Sequence, residues 1–181
     1  ASHSTNSFFA CGDFEQRITP WGSKSRSDLE WVSPDIEIRS VSISYRQSRQ
    51  LFDFARALAA LFDAQSDIEL PTETNNEAVD PILLTDTPDL DDVARWLTAR
   101  IDEIENQMKG EALPTVAVFV HDEAVVRPMT DALNRAFTQT NLRAIACVDG
   151  RIIGGDDEIR VFDVQHIKGL EFEAVFFVGI D

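Results

Sequence analysis

Short apolar runs alternate with amphipathic stretches along most of the 181 residues. The runs "SFFACGD" (7–13), "VSISYR" (41–46), "PILLT" (81–85), "TVAVFV" (115–120), "LRAIACV" (142–148), "IRVFDV" (159–164) and "AVFFVGI" (174–180) predict strands. Leu51, Phe54, Ala55, Leu58, Leu61 and Phe62 recur at three- and four-residue steps, predicting a helix with one buried face. A second such stripe is Leu90, Val93, Leu97, Ile101, Ile104 and Met108, opened by "DLDD", whose acids suit the positive end of a helix. Val125, Val126, Met129, Leu133 and Phe137 make a third.

Strands that are apolar on both faces and separated by helices indicate a mainly parallel sheet with helices on both sides, an α/β domain of doubly wound type. Residues 64–80, "AQSDIELPTETNNEAVD", read as a polar surface connection within it.

Composition narrows the function classes. Hydrophobic residues at 44% and charged residues at 27% fit a globular domain with a real core. The net charge of −16 excludes a strongly basic, DNA-coating module. The first 50 residues balance six acids against six bases, so an anionic ligand is expected there rather than on the acidic stretch from Asp63 to Glu111. Cys11 and Cys147 stand in no metal-ligand spacing, which fits a reducing cytosol and neither a disulfide framework nor a zinc site. No apolar run approaches the roughly 20 residues that span a bilayer.

Ligands of open α/β sheets bind beyond the carboxyl ends of the strands. Three such places carry unusual chemistry. "GDFEQRITPW" puts an amide, Gln16, and a large ring, Trp21, on one loop; the ring can stack on a base for roughly 1–3 kcal/mol. "SYRQS" offers the flat face of Tyr45 and the planar, permanently charged fork of Arg46, suited to phosphate oxygens. In "HIKGLEFEAVFFVGID", Lys168 and Gly169 make a cationic turn, and Glu171 can accept hydrogen bonds from paired ribose hydroxyls. Taken singly, each segment reads as an ordinary polar loop.

Together, and in this order, "GDFEQRI", "SYRQS" and "DVQHIKGLEFEAVFFVG" resemble motifs III, IV and V of UvrD/Rep-like superfamily 1 DNA helicases. The resemblance implies a motor of two RecA-like domains with ATP and Mg2+ between them and single-stranded DNA across the top. Residues 1–33 would end the first domain, and 34–181 would form the second, truncated before motif VI. By the same resemblance Gln16 senses the γ-phosphate, and Asp13 lies behind it near the metal's water shell. Tyr45 stacks on adenine, Arg46 contacts the γ-phosphate, Gly169 and Glu171 belong to the nucleotide site with Glu171 on the ribose, and Trp21 and Lys168 face DNA.

The chain departs from the motif pattern at Asp163 and Gln165, where the family usually has Thr and His, at Thr19 and Pro20, and at Gly22. A phosphate loop is absent, and no Asp-Glu pair is expected to follow a strand and position magnesium and water, so the metal ligands are expected in the missing first domain. The expectation is therefore a portion of an ATP-dependent DNA helicase of the cytoplasm, inactive by itself. The alternatives are a non-catalytic helicase-like module used for protein contacts and a nucleotide-binding α/β domain unrelated to helicases.

Overall fold

The computed structural model describes residues 21–22, 25–32, 37–39, 43, 48–61, 82, 89–108 and 112–179. The chain divides into two compact units, Ala1–Thr85 and Asp86–Asp181. The predicted strands at 7–13, 41–46 and 81–85 lie largely or wholly outside the described residues.

In the first unit, α1 (Arg26–Val32) was not legible as an apolar stripe. Its start is set by polar groups instead: Ser25 N–H donates to Asp28 Oδ2 at 3.1 Å, which is one half of a capping box, while Asp28 N–H donates to the Ser25 backbone carbonyl. The second helix, α2 (Arg49–Leu61), starts where "SYRQS" ends. Buried Ser48 caps it, its Oγ accepting from Leu51 N–H at 3.3 Å. The predicted helix is present, but the expected buried face is not. Among its described side chains Phe52 is buried, whereas Leu51, Phe54, Leu58 and Leu61 are exposed. A periodic stripe states what a helix can bury; whether it does so depends on a covering surface that the period does not encode.

The second unit is an α/β domain with a four-stranded, all-parallel sheet, an arrangement compatible with a RecA-like domain. Its elements are α3 (Leu90–Gln107), β1 (Val116–Val120), α4 (Glu123–Ala136), β2 (Ala144–Ala146), β3 (Ile159–Asp163) and β4 (Ala174–Val178). The strand order is β2-β3-β1-β4, with Phe119 opposite both Phe162 and Phe177.

Strand alternation sorts the core into two layers. Val116, Val118 and Val120 of β1 and Ile159 and Val161 of β3 face the stripes of α3 and α4, where Leu97, Ile101, Met129 and Leu133 are buried. Each fully buried side chain of this kind contributes roughly 1.5–3 kcal/mol of transfer free energy. Both helices are capped by Asp side chains: Asp89 accepts from Asp91 N–H at 2.8 Å, and Asp122 from Ala124 N–H at 2.7 Å.

The opposite face carries Ala117, Phe119, Cys147 and Phe162. Among the described residues the irregular crossover from β3 to β4 covers part of this layer. Val164, Ile167, Leu170 and Phe172, in the connection from β3 to β4, pack on that layer. The two crossovers run in opposite senses: α4 leads from β1 past β3 to β2 on one face, and residues 164–173 lead from β3 past β1 to β4 on the other. Opposite travel on opposite faces is what a single handedness of connection requires.

Candidate functional site

β1 and β3 are neighbours whose chains leave toward opposite faces at their carboxyl ends. This is the topological switch point at which open parallel sheets bind ligands. Three potential ligand-bearing side chains meet there. Glu123 is the first residue of α4, Asp163 the last of β3, and His166 closes the short 3-10 turn Val164–His166. One ligand atom from each lies within 4.8 Å of the others.

Local backbone geometry holds all three. Asp149 N–H donates to Glu123 Oε1 at 3.1 Å. To present that N–H the chain after β2 turns through two left-handed residues, Asp149 (φ 54°) and Gly150 (φ 68°). Asp tolerates this conformation better than most residues, and Gly does so without steric cost. Gly150 is also a close-approach position, since a Cβ there would stand 2.7 Å from His166 Cγ, so the imidazole lies against bare backbone. Asp163, 4% exposed, accepts from Gln165 N–H at 2.8 Å through Oδ1 and so starts the turn that carries His166.

The electrostatics of the cluster are incomplete. Glu123 Oε2 is shut off from solvent and has no hydrogen-bond donor. His166 Nε2 stands 3.7 Å from it, beyond hydrogen-bond range. Two carboxylates, one of them on a buried residue, thus share a site with one half-exposed imidazole. Burying a carboxylate costs several kcal/mol unless a cation or donors answer it.

The sequence-derived site residues fall differently. Gln16, Asp13, Tyr45 and Arg46 lie outside the described residues. Trp21 belongs to the first unit and is 74% exposed. Lys168, Gly169 and Glu171 sit together in the crossover on the second face. Within Lys-Gly-Leu-Glu-Phe, Leu170 and Phe172 point into the apolar layer while Lys168 and Glu171 are exposed. Gly169 turns at φ 81° with nothing within 4 Å of where a Cβ would lie.

Sequence reasoning passed over the Glu123, Asp163 and His166 cluster. An Asp-Glu pair does follow a strand: Asp122 and Glu123 come directly after the turn at the end of β1. Asp122 is engaged as a helix cap, and Glu123 joins Asp163 and His166. The available signal was the string "FVHDE", a polar triplet beyond an apolar strand.

No protein-family model matches the chain, nor does any curated protein or solved structure. Among the described residues no helix is long and apolar enough to cross a membrane.

Proposed function

We propose that the chain is part of an ATP-dependent DNA helicase or translocase of the UvrD/Rep type, supplying half of an interdomain ATP site and part of a single-stranded DNA track. The observation that carries this reading is the form of the Lys168–Phe172 segment. It is a crossover strapped to a parallel sheet by Leu170 and Phe172, leaving Lys168 and Glu171 presented outward. Such a strap holds a cation and a carboxylate three residues apart on a packed support, the preorganisation that a charged, hydroxyl-bearing ligand needs. ATP with Mg2+ and single-stranded DNA are the ligands of this proposal, and a first RecA-like domain is its partner.

The physical logic of the motor rests on the sequence resemblance. Arg46 would reach the transferring phosphoryl group and stabilise its transition-state charge, a role worth about 10³-fold or more in rate. Gln16 and Trp21 would share one loop, linking the state of the nucleotide to the grip on DNA.

Arg46→Ala in the product of the complete reading frame tests this. The expected result is a fall in kcat of about 10³-fold with nucleotide affinity within a few-fold of wild type. Unchanged turnover in the variant overturns the assignment. A second reading, a non-catalytic module used for protein contacts, is favoured by Val175 and Phe177 of edge strand β4, exposed at 41% and 47%. Wild-type protein that hydrolyses no ATP supports that reading instead.

A further inference from the structure

We propose that Glu123, Asp163 and His166 bind one divalent first-row transition cation, of the zinc or manganese class, at the carboxyl ends of β1 and β3. This site is separate from the ATP-bound Mg2+ of the proposed motor and does not depend on it.

Four observations carry the inference. The first is the donor set: one imidazole nitrogen and two carboxylates suit zinc, manganese, iron or cobalt, whereas magnesium and calcium favour oxygen alone. The second is the 3.7 Å between Glu123 Oε2 and His166 Nε2. That is too long for a hydrogen bond but close to the separation of about 3.4 Å that two ligands on a tetrahedral cation with bonds near 2.1 Å would have. The third is the solvent-excluded Glu123 Oε2, an acceptor with no donor. The fourth is Asp163, 4% exposed and fixed at the cluster by the Gln165 N–H contact to Oδ1. A cation answers both carboxylates at once.

Outer contacts of the kind that orient metal ligands are already in place. Asp149 N–H holds the far oxygen of Glu123, Gln165 N–H holds Asp163, and the Gly150 backbone sets the His166 ring. The positive end of α4 is met by its Asp122 cap. His166 is exposed enough to give a cation and its completing waters a route in.

The test is titration of the untagged 181-residue chain with Co2+, read by its visible ligand-field absorption, followed by competition with Zn2+. Wild type should take up one equivalent, with Zn2+ displacing it. The isosteric Glu123→Gln and the polar His166→Gln should each weaken binding at least tenfold, while His121→Gln binds as wild type. Circular dichroism confirms that each variant is folded, and the two independent ligand variants guard against the loss of one to misfolding. Absence of cobalt uptake by folded wild type, or uptake unaffected by both ligand variants, overturns the proposal. So does a loss on His121→Gln equal to that on His166→Gln.

Discussion

Phe119 and Phe162 stack with ring centroids 5.6 Å apart and 24° between their planes. The contact follows from register, because parallel pairing puts the two residues opposite each other on the same face of β1 and β3. Phe177 extends the row onto β4 at the same 5.6 Å spacing, and Phe172 meets Phe119 and Phe162 from above at 6.2 and 5.8 Å. The aromatic row is therefore the seat on which the Lys168–Phe172 crossover rests.

Truncating this row should cost stability in proportion to burial. Phe119→Ala and Phe162→Ala, each removing a ring almost wholly out of solvent, are expected to lower the unfolding free energy by about 3–5 kcal/mol. Phe177→Ala, at a position 47% exposed, should cost less than half as much. Denaturant titrations of the three variants measure the order directly; an equal cost at Phe177 would contradict the described face.

Gly150 and Gly169 provide a matched pair. Both have positive φ, but only Gly150 is crowded, by the His166 ring. Gly169→Ala should cost about 1–2 kcal/mol from backbone strain alone. Gly150→Ala should cost more, and the His166 ring resonances should shift in NMR spectra of the variant. Equal costs and an unmoved ring would show that the ring does not lie on that glycine.

Asp89 and Asp122 each satisfy an orphan N–H at the start of a long helix. Alanine at either position should destabilise the protein by about 1 kcal/mol, read as a shift in denaturant midpoint at unchanged slope.

Cys147 is fully buried, and loss of hydration is the main cause that pushes its thiol above the usual range. The neutral thiol is thus favoured in the folded state. Its contribution to stability is complete below the unfolded thiol's pKa of about 8.5 and declines as pH rises through the higher folded value. A thiol reagent should modify native protein far more slowly than urea-unfolded protein at pH 8. Equal rates would contradict the burial.

Much of the second unit was legible in the sequence. "TVAVFV", "IRVFDV" and "AVFFVGI" are strands, and the stripes through Leu97 and Met129 are buried helix faces, because period and patterning report element type and the face available for burial. Long-range geometry was not legible. Nothing local in "FVHDE" or "FDVQH" says that β1 and β3 become neighbours, so the meeting of Glu123 with the distant Asp163 and His166 required the strand order. In the sequence Asp163 stands out only as a departure from the motif pattern. The α2 stripe failed in the converse way, since Leu51, Phe54 and Leu58 have the right spacing without the burial.

The central claim, that the chain serves as half of an ATP-driven DNA motor, is tested most directly by steady-state ATP hydrolysis with and without a single-stranded oligonucleotide. The measurement is made on the product of the complete reading frame and on the 181-residue chain. The account predicts turnover that rises with DNA in the complete protein and none in the chain alone. Hydrolysis by the isolated chain, or a complete protein that neither turns over ATP nor responds to DNA, would contradict it.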